Sequence, residues 1–442
     1  MTDQMQRRNV LVFGASGLIG RYLTDDLRAR GFCAIGLARH FTASQGAGAL
    51  DLEIPILSLA AADLARLMRD HTADTIVNCI GVLQDGPGSD TNVVHRDFVA
   101  RLLDAIGQSG RAVRLIQISI PGDAQEDRTA FSSSKREAER LIASSSVAYA
   151  ILRPGFVIAP NAYGGSALMR ALAAFPFELP AKETATPFQP VAVEDIAATV
   201  AWLAAREIDE QAIRAVTWDL MQPQPITLGG VIEHFRRACG TAKAPRITLP
   251  RVLLDVGVRF GDLATHLGWQ PPLRSTALAE LRRGVTGDPG PWMTAIRIVP
   301  RTIAQTLARP ASIQDKWFSR LFLLKPLIIA SLALFWTLSG FIALVISFPA
   351  TKAILATHDF PSSLVAPLAG ITSLMDMSIG VAIAFRRTAA FGLAAGIVVS
   401  LGYMAGTALL TPDLWIEPLG ALVKTGPAIV LMGVGLAMLD NR

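Results

Sequence analysis

Tyrosine, cysteine and charge are all scarce in this chain, and each shortage narrows what the protein can be. Only four tyrosines (Tyr22, Tyr149, Tyr163, Tyr403) and three cysteines (Cys33, Cys79, Cys239) occur in 442 residues. The cysteines stand far apart, with no CxxC pair and no neighbouring histidine cluster, so neither a disulfide framework nor a metal site is expected. Charged residues are only 17% of the chain, and the mean hydropathy is +0.40, which points to a large apolar segment. No lysine/arginine run interleaved with aromatics accompanies the formal net charge of +5, so nucleic acid is not an expected partner. Met1 to Arg8 is polar and carries no apolar core, so no signal peptide is expected and the first domain is expected to stay in the cytoplasm.

What is present begins with Val10-Leu11-Val12-Phe13 running into Gly14-Ala15-Ser16-Gly17-Leu18-Ile19-Gly20. An apolar run closed by glycines at this spacing predicts a buried strand, a tight turn and a helix start. Gly14 lets the chain turn, Gly17 lets backbone amides approach a pyrophosphate, and Gly20 lets the helix pack on the sheet. Ser16, Leu18 and Ile19 complete the turn, whose amides and helix dipole favour negative charge. A second apolar strand, Phe32 to Ala38, ends at Arg39. An acidic residue near this point would serve a ribose 2′-hydroxyl; Arg39 instead suits a 2′-phosphate, and so NADP(H) over NAD(H). Asp51 fits the end of a third strand, facing an adenine.

Thr75 to Gly81 reads as a fourth strand, with Asn78 and Gly81 at its cofactor end, and Leu115 to Ser119 as a fifth, ending in a hydroxyl. Strands alternating with helical segments predict a doubly wound parallel sheet. The glycine turn, Asp51, Asn78–Gly81, Ser119, a downstream lysine and Arg153-Pro154-Gly155 together resemble an extended or atypical short-chain dehydrogenase/reductase. The order is similar, more narrowly, to the NADP(H)-binding accessory subunit of respiratory complex I, over residues 8 to 310. That resemblance implies cofactor contacts at Pro154 and Lys135, and catalytic roles for Ser119 and Lys135. Family enzymes place a tyrosine four residues before the lysine. Here Phe131 holds that position, and no tyrosine of this chain precedes a lysine by four. Phenylalanine keeps the ring and loses the proton that general acid catalysis needs. Tyr163 is read as an ordinary loop residue, and Glu194 and Asp195 as helix-capping acids.

The predicted organisation is residues 1–245 as a Rossmann domain with a small substrate-binding part, 246–323 as C-terminal helices and a membrane-proximal tether, and 324–442 as an all-α four-helix transmembrane domain. Within the tether, Val252, Leu253, Val256, Phe260, Leu263 and Leu267 recur at helical spacing. They suit either a helix buried on its own domain or one lying flat on an anionic membrane. Four spans can be drawn, at 327–348, 364–385, 389–410 and 419–439, each long enough for a bilayer core. Lys316, Arg320, Lys325, Arg386, Arg387 and Arg442 fall on one side, and Lys352, Asp359, Asp413 and Glu417 on the other, which puts both termini in the cytoplasm at a bacterial-type inner membrane. Asp376 and Lys424 lie within the spans; either they pair, or Lys424 snorkels while Asp376 sits protonated. Pro412 to Pro418 with Leu422-Val423-Lys424 resembles the DoxX-like four-span family.

Two functions follow as expectations. One is a membrane-anchored, NADP(H)-dependent oxidoreductase acting on a small or lipid-soluble substrate, such as a quinone or its precursor. The other is a non-catalytic NADP(H)-binding sensor or assembly protein that engages a respiratory membrane protein.

Overall fold

Strand β1 (Asn9–Phe13) is the centre of the soluble part, and Val10, Leu11, Val12 and Phe13 are fully buried. It pairs in parallel with β2 (Cys33–Ala38) on one side and β4 (Thr75–Asn78) on the other. The sheet continues through β3 (Leu52–Glu53), β5 (Arg114–Ile118), β6 (Ala148–Pro154) and β7 (Ala215–Leu220). Its seven strands run in the order β7-β6-β5-β4-β1-β2-β3, every neighbouring pair parallel. A strand buried on both faces needs apolar residues throughout, and these runs supply them. The computed structural model describes residues 8–41, 48, 50–86, 90–162, 164–416 and 420–439. Tyr163, Glu417 and Arg442, singled out above, lie outside the described residues.

Helices cover both faces, as a parallel sheet requires. On one face α1 (Leu18–Ala29) and the helix Val193–Ala204 bury Leu23, Leu27, Ile196 and Val200 against Val10, Val12 and Ile116. On the other, α2 (Ala61–Asp70), α3 (Phe98–Ser109) and α4 (Ala130–Ala143) bury Leu64, Met68, Phe98, Leu102 and Ile142 against Leu11, Phe13 and Leu115. The chain leaves β1 toward β2 and β3, then returns to β4 on the opposite side. This reversal opens a crevice at the carboxyl ends of β1 and β4, where ligands bind in such sheets. Thr217 to Leu220, predicted as a small strand, extends to Ala215 and forms the β7 edge of this main sheet.

The chain divides into two compact units, one of residues 1–260 with 272–319 and one of 261–271 with 320–442. In the first unit, Trp292 is fully buried and donates its indole N–H to Thr199 Oγ1 at 2.9 Å. The second unit is helical. Three helices are long and apolar enough to cross a membrane, Ile313–Ile346, Ser362–Ala384 and Ala389–Leu410, and a shorter apolar helix, Leu422–Ala437, follows. Small residues let the helices meet closely: a Cβ at Gly380 would press on the Thr337 nitrogen at 2.5 Å. The loop expected after the first span carries a helix of its own, Phe348–Thr357. Asp376 accepts a hydrogen bond from Tyr403 at 2.9 Å, whereas Lys424 is exposed. Among the described residues no ion pair joins Asp376 to Lys424, so the pairing alternative is not the one realised.

Candidate active site

The glycine turn closes β1 onto α1. Gly14 takes a φ of +81°, a left-handed conformation that side-chain-bearing residues avoid, and its amide bonds the Leu37 carbonyl at 2.9 Å. A Cβ at Gly20 would collide with the Gly14 carbonyl, so only glycine allows the helix to start this close to the strand. Gly17 is the N-cap residue of α1 and has no side chain to bond the first-turn amides, and that turn carries no acidic residue. An uncapped helix start with no covering Cβ fits a dinucleotide diphosphate. Ser16 lies in the turn, and Leu18 and Ile19 open α1.

Arg39 follows β2 and is exposed. It lines a cavity of about 710 Å³ with Pro55, Leu57, Asp85, Asp90 and Val93. The two carboxylates there are already engaged by backbone amides, Asp85 by Thr91 at 2.7 Å and Asp90 by Asn92 at 2.8 Å. Asp51 does not end a strand; it precedes the two-residue β3. Its carboxylate is buried, held by Arg28 Nη2 at 2.6 Å and by the Gly48 amide at 2.7 Å. Asn78 is likewise turned inward. Its Nδ2 donates to Gln117 Oε1 at 2.9 Å and its Oδ1 accepts the Ile80 amide at 3.1 Å, which ties β4 to β5.

Beyond Asn78 the ends of β4 and β5 converge on Lys135 from α4. Its buried ammonium donates to the carbonyls of Ile80 and Ile118 at 3.2 and 3.1 Å, and a Cβ at Gly81 would sit 3.4 Å from Nζ. Burial pulls the Lys135 pKa down to about 8, against the opposing pull of Cys79 and Glu139. Burial pushes the neighbouring Cys79 thiol up to about 12, with Lys135 opposing, so that thiol is inert. Phe131 lies one turn before Lys135, and its ring meets His95 edge-on with centroids 5.6 Å apart. His95 is buried, which takes its pKa down to about 2 with help from the Lys135 charge. The neutral ring uses both nitrogens: Nε2 accepts the Val82 amide at 3.1 Å and Nδ1 meets Ser134 Oγ at 2.8 Å.

Ser119 sits just past β5. Among the described residues its buried hydroxyl has no well-directed hydrogen-bond partner, though it lies close enough to Glu139 to help hold that carboxylate charged. Glu139 is also gripped by Arg153 at 2.9 and 2.6 Å and by Arg136 at 3.1 Å. Pro154 closes β6 nearby and is buried. The structure thus gathers Ser119, Lys135 and Phe131 at one end of the sheet with the glycine turn, and adds His95, Cys79 and Glu139. For Glu139 the signal was present, four residues after Lys135 and so on the same helix face. His95 carried none, since a lone histidine in a helical segment most often serves packing.

Residues 10–178 match the family model of the NAD dependent epimerase/dehydratase family, and residues 333–433 match the DoxX-like family. Among solved structures, UDP-glucuronic acid 4-epimerase from Bacillus cereus in complex with UDP-glucuronic acid and NAD is 14% identical, covering 71% of this chain and 99% of that one at a TM-score of 0.51. The Bordetella bronchiseptica enzyme WbmH in complex with NAD+ is 13% identical, covering 69% of this chain and 96% of that one at 0.51. Pal from Bacillus thuringiensis is 12% identical, covering 71% and 99% at 0.52. No curated protein matches the chain. The chain joins an epimerase/SDR-like Rossmann domain to a DoxX-like membrane domain, and the glycine turn and family match support a nicotinamide cofactor.

Proposed function

We propose that the Rossmann domain holds NADP(H) at the membrane as a bound ligand and turns it over slowly or not at all. The observation that carries this reading is Phe131 in the proton donor's place, beside an intact glycine turn and Lys135. The turn of Gly14 to Gly20 would hold the diphosphate, Arg39 the adenosine 2′-phosphate, and Lys135 with Ser119 would lie at the nicotinamide end. The bound dinucleotide supplies a hydride donor or acceptor. The chain's own part is to orient it and to place, or withhold, a proton. A second reading, a true oxidoreductase acting on a quinone or lipid-soluble carbonyl, has one observation in its favour. Lys135, with a pKa near 8, can lose a proton close to neutral pH.

Titration of NADPH and NADH into the full-length protein, with absorbance followed for oxidation, tests the proposal. Tight binding without consumption in the presence of aldehydes, ketones and quinones supports it. Wild type should prefer NADPH, and Arg39→Ala should lose about 1.5–3 kcal/mol of that preference, a tenfold to hundredfold effect for a charged hydrogen bond. A wild type that prefers NADH, or a variant that loses nothing, removes Arg39 from the 2′-phosphate.

The membrane domain is read as anchoring this unit on the cytoplasmic side of an inner membrane, next to lipid, a quinone or a respiratory partner. The positive charges support this orientation. Reporter fusions after position 442 and between Arg386 and Arg387 should report cytoplasm, and one at His358 the opposite side. A cytoplasmic signal at His358 would mean that a flanking helix does not cross.

A further inference from the structure

The helix Arg251–His266 has two separate apolar faces. One is inward, with Leu254 and Val258 buried at 6% and 7% exposure. The other comprises Val252, Leu253, Val256, Phe260 and Leu263, all exposed, with Phe260 at 66% and Val252 at 70%. At 3.6 residues per turn these five fall within an arc of about 100°. Water around so contiguous an apolar arc is costly, and an uncovered patch of this kind marks an interaction surface.

Neighbouring charges are arranged asymmetrically. Asp255 lies 3.9 Å from Arg282, and Asp262 is also partnered. Arg251 and Arg259 are exposed, and among the described residues neither has a hydrogen-bond or ion-pair partner. Arg259 borders the apolar arc, so the outward side combines apolar bulk with free positive charge. That combination suits an anionic lipid surface better than water or an acidic groove.

Leu263 and Leu267 belong to the membrane unit. The Leu267 carbonyl accepts the Arg386 amide at 2.9 Å, and the Trp269 indole donates to the Ala384 carbonyl at 2.7 Å. Ala384 is the last residue of a membrane-crossing helix, and Arg386 lies over the Trp269 ring at 5.5 Å. An indole and a guanidinium at a span's end mark the depth of the membrane–water boundary. Leu263 is one helical turn from this anchor.

We propose that Arg251–His266 is an interfacial helix, its face of Val252, Leu253, Val256, Phe260 and Leu263 immersed in the acyl boundary of an anionic bilayer. Arg259 meets the lipid phosphates while Leu254 and Val258 stay on the protein. This inference does not depend on which nucleotide binds or on any turnover. It is tested on the full-length chain in vesicles of phosphatidylethanolamine and phosphatidylglycerol, with a photoreactive phenylalanine analogue at position 260 or, as control, at 255. Phospholipid adducts at 260, several-fold above those at 255, are expected. Adducts to a second copy of the chain or to another protein, or none at 260, overturn the proposal. Leu253→Glu with Phe260→Glu provides an independent reading. Trypsin cleavage after Arg259 in vesicles should rise several-fold while NADPH affinity is unchanged; an unchanged cleavage rate overturns it.

Discussion

Phe131→Tyr in the full-length protein is expected to raise NADPH-dependent reduction of simple aldehydes and ketones by about 10²- to 10⁴-fold over wild type, the range a positioned acid contributes. Phe131 is half-buried one turn before Lys135 on the same face of α4, so a hydroxyl on that ring would be presented on the side of the helix that carries Lys135. With its pKa near 8, Lys135 is mostly charged at pH 7. A neighbouring ammonium lowers a phenol's pKa and so readies it for proton transfer. His95 cannot take the donor's place, because burial and the Lys135 charge keep it neutral to about pH 2. The Ser119 hydroxyl has too high a pKa to act alone. Stopped-flow absorbance of NADPH in the wild type, in Phe131→Tyr and in Phe131→Tyr with Lys135→Met should show the gain and its loss. Brisk wild-type reduction would defeat the ligand-holding proposal and make Lys135 the donor.

The contrast between Gly20 and Asp51 shows how far sequence reasoning reaches into this site. Glycine spacing is a local code, since the collision that forbids a Cβ at Gly20 involves the Gly14 carbonyl only six residues away. The turn was therefore legible from the chain. Asp51 carries the right residue type in the right region, but its carboxylate is claimed by Arg28 on α1, a contact set by helix packing. Asn78 is similar: its partner Gln117 lies on the adjacent strand, 39 residues on. Thr217 to Leu220 reads as a strand by composition, but its place at the sheet's edge depends on a long crossover from β6. In the membrane unit the cost of Asp376 could be read from its surroundings. That its partner is Tyr403 rather than Lys424 depends on the register of two helices, which apolar periodicity does not specify.

Glu139→Ala is expected to destabilise the Rossmann unit by about 3–5 kcal/mol, the range for removing one partner of a buried charge cluster. Glu139 is the shared acceptor of Arg136 and Arg153. Arg136 also binds Asp127 at 2.8 Å and the carbonyls of Pro121 and Gly122 at 3.0 and 2.6 Å, and Asp127 is further paired with Arg283. Removing the carboxylate leaves two guanidiniums facing each other at the turn that follows Ser119. Burial alone would push the Glu139 pKa up, but the hydrogen bonds from Arg153, the nearby Ser119 hydroxyl and the charges of Arg153 and Arg136 outweigh it and hold it below the ordinary glutamate value of 4.5. The sign follows from linkage. The unfolded chain binds the proton more readily, so the stabilisation is complete above about pH 4.5 and is lost as pH falls through the folded value. Thermal unfolding of the full-length protein, followed by tryptophan fluorescence, should show a large gap between wild type and Glu139→Ala at pH 7. At roughly 2–4 °C per kcal/mol the gap is of order 10 °C, and it should narrow below pH 4.5. Glu139→Gln should recover only part of it, since an amide accepts the arginine hydrogen bonds without neutralising their charge. A gap that is small at pH 7, or independent of pH, would mean that Asp127, beside Arg136, and Asp219, 4.0 Å from Arg153, compensate the arginines and that Glu139 is not what holds the end of β5.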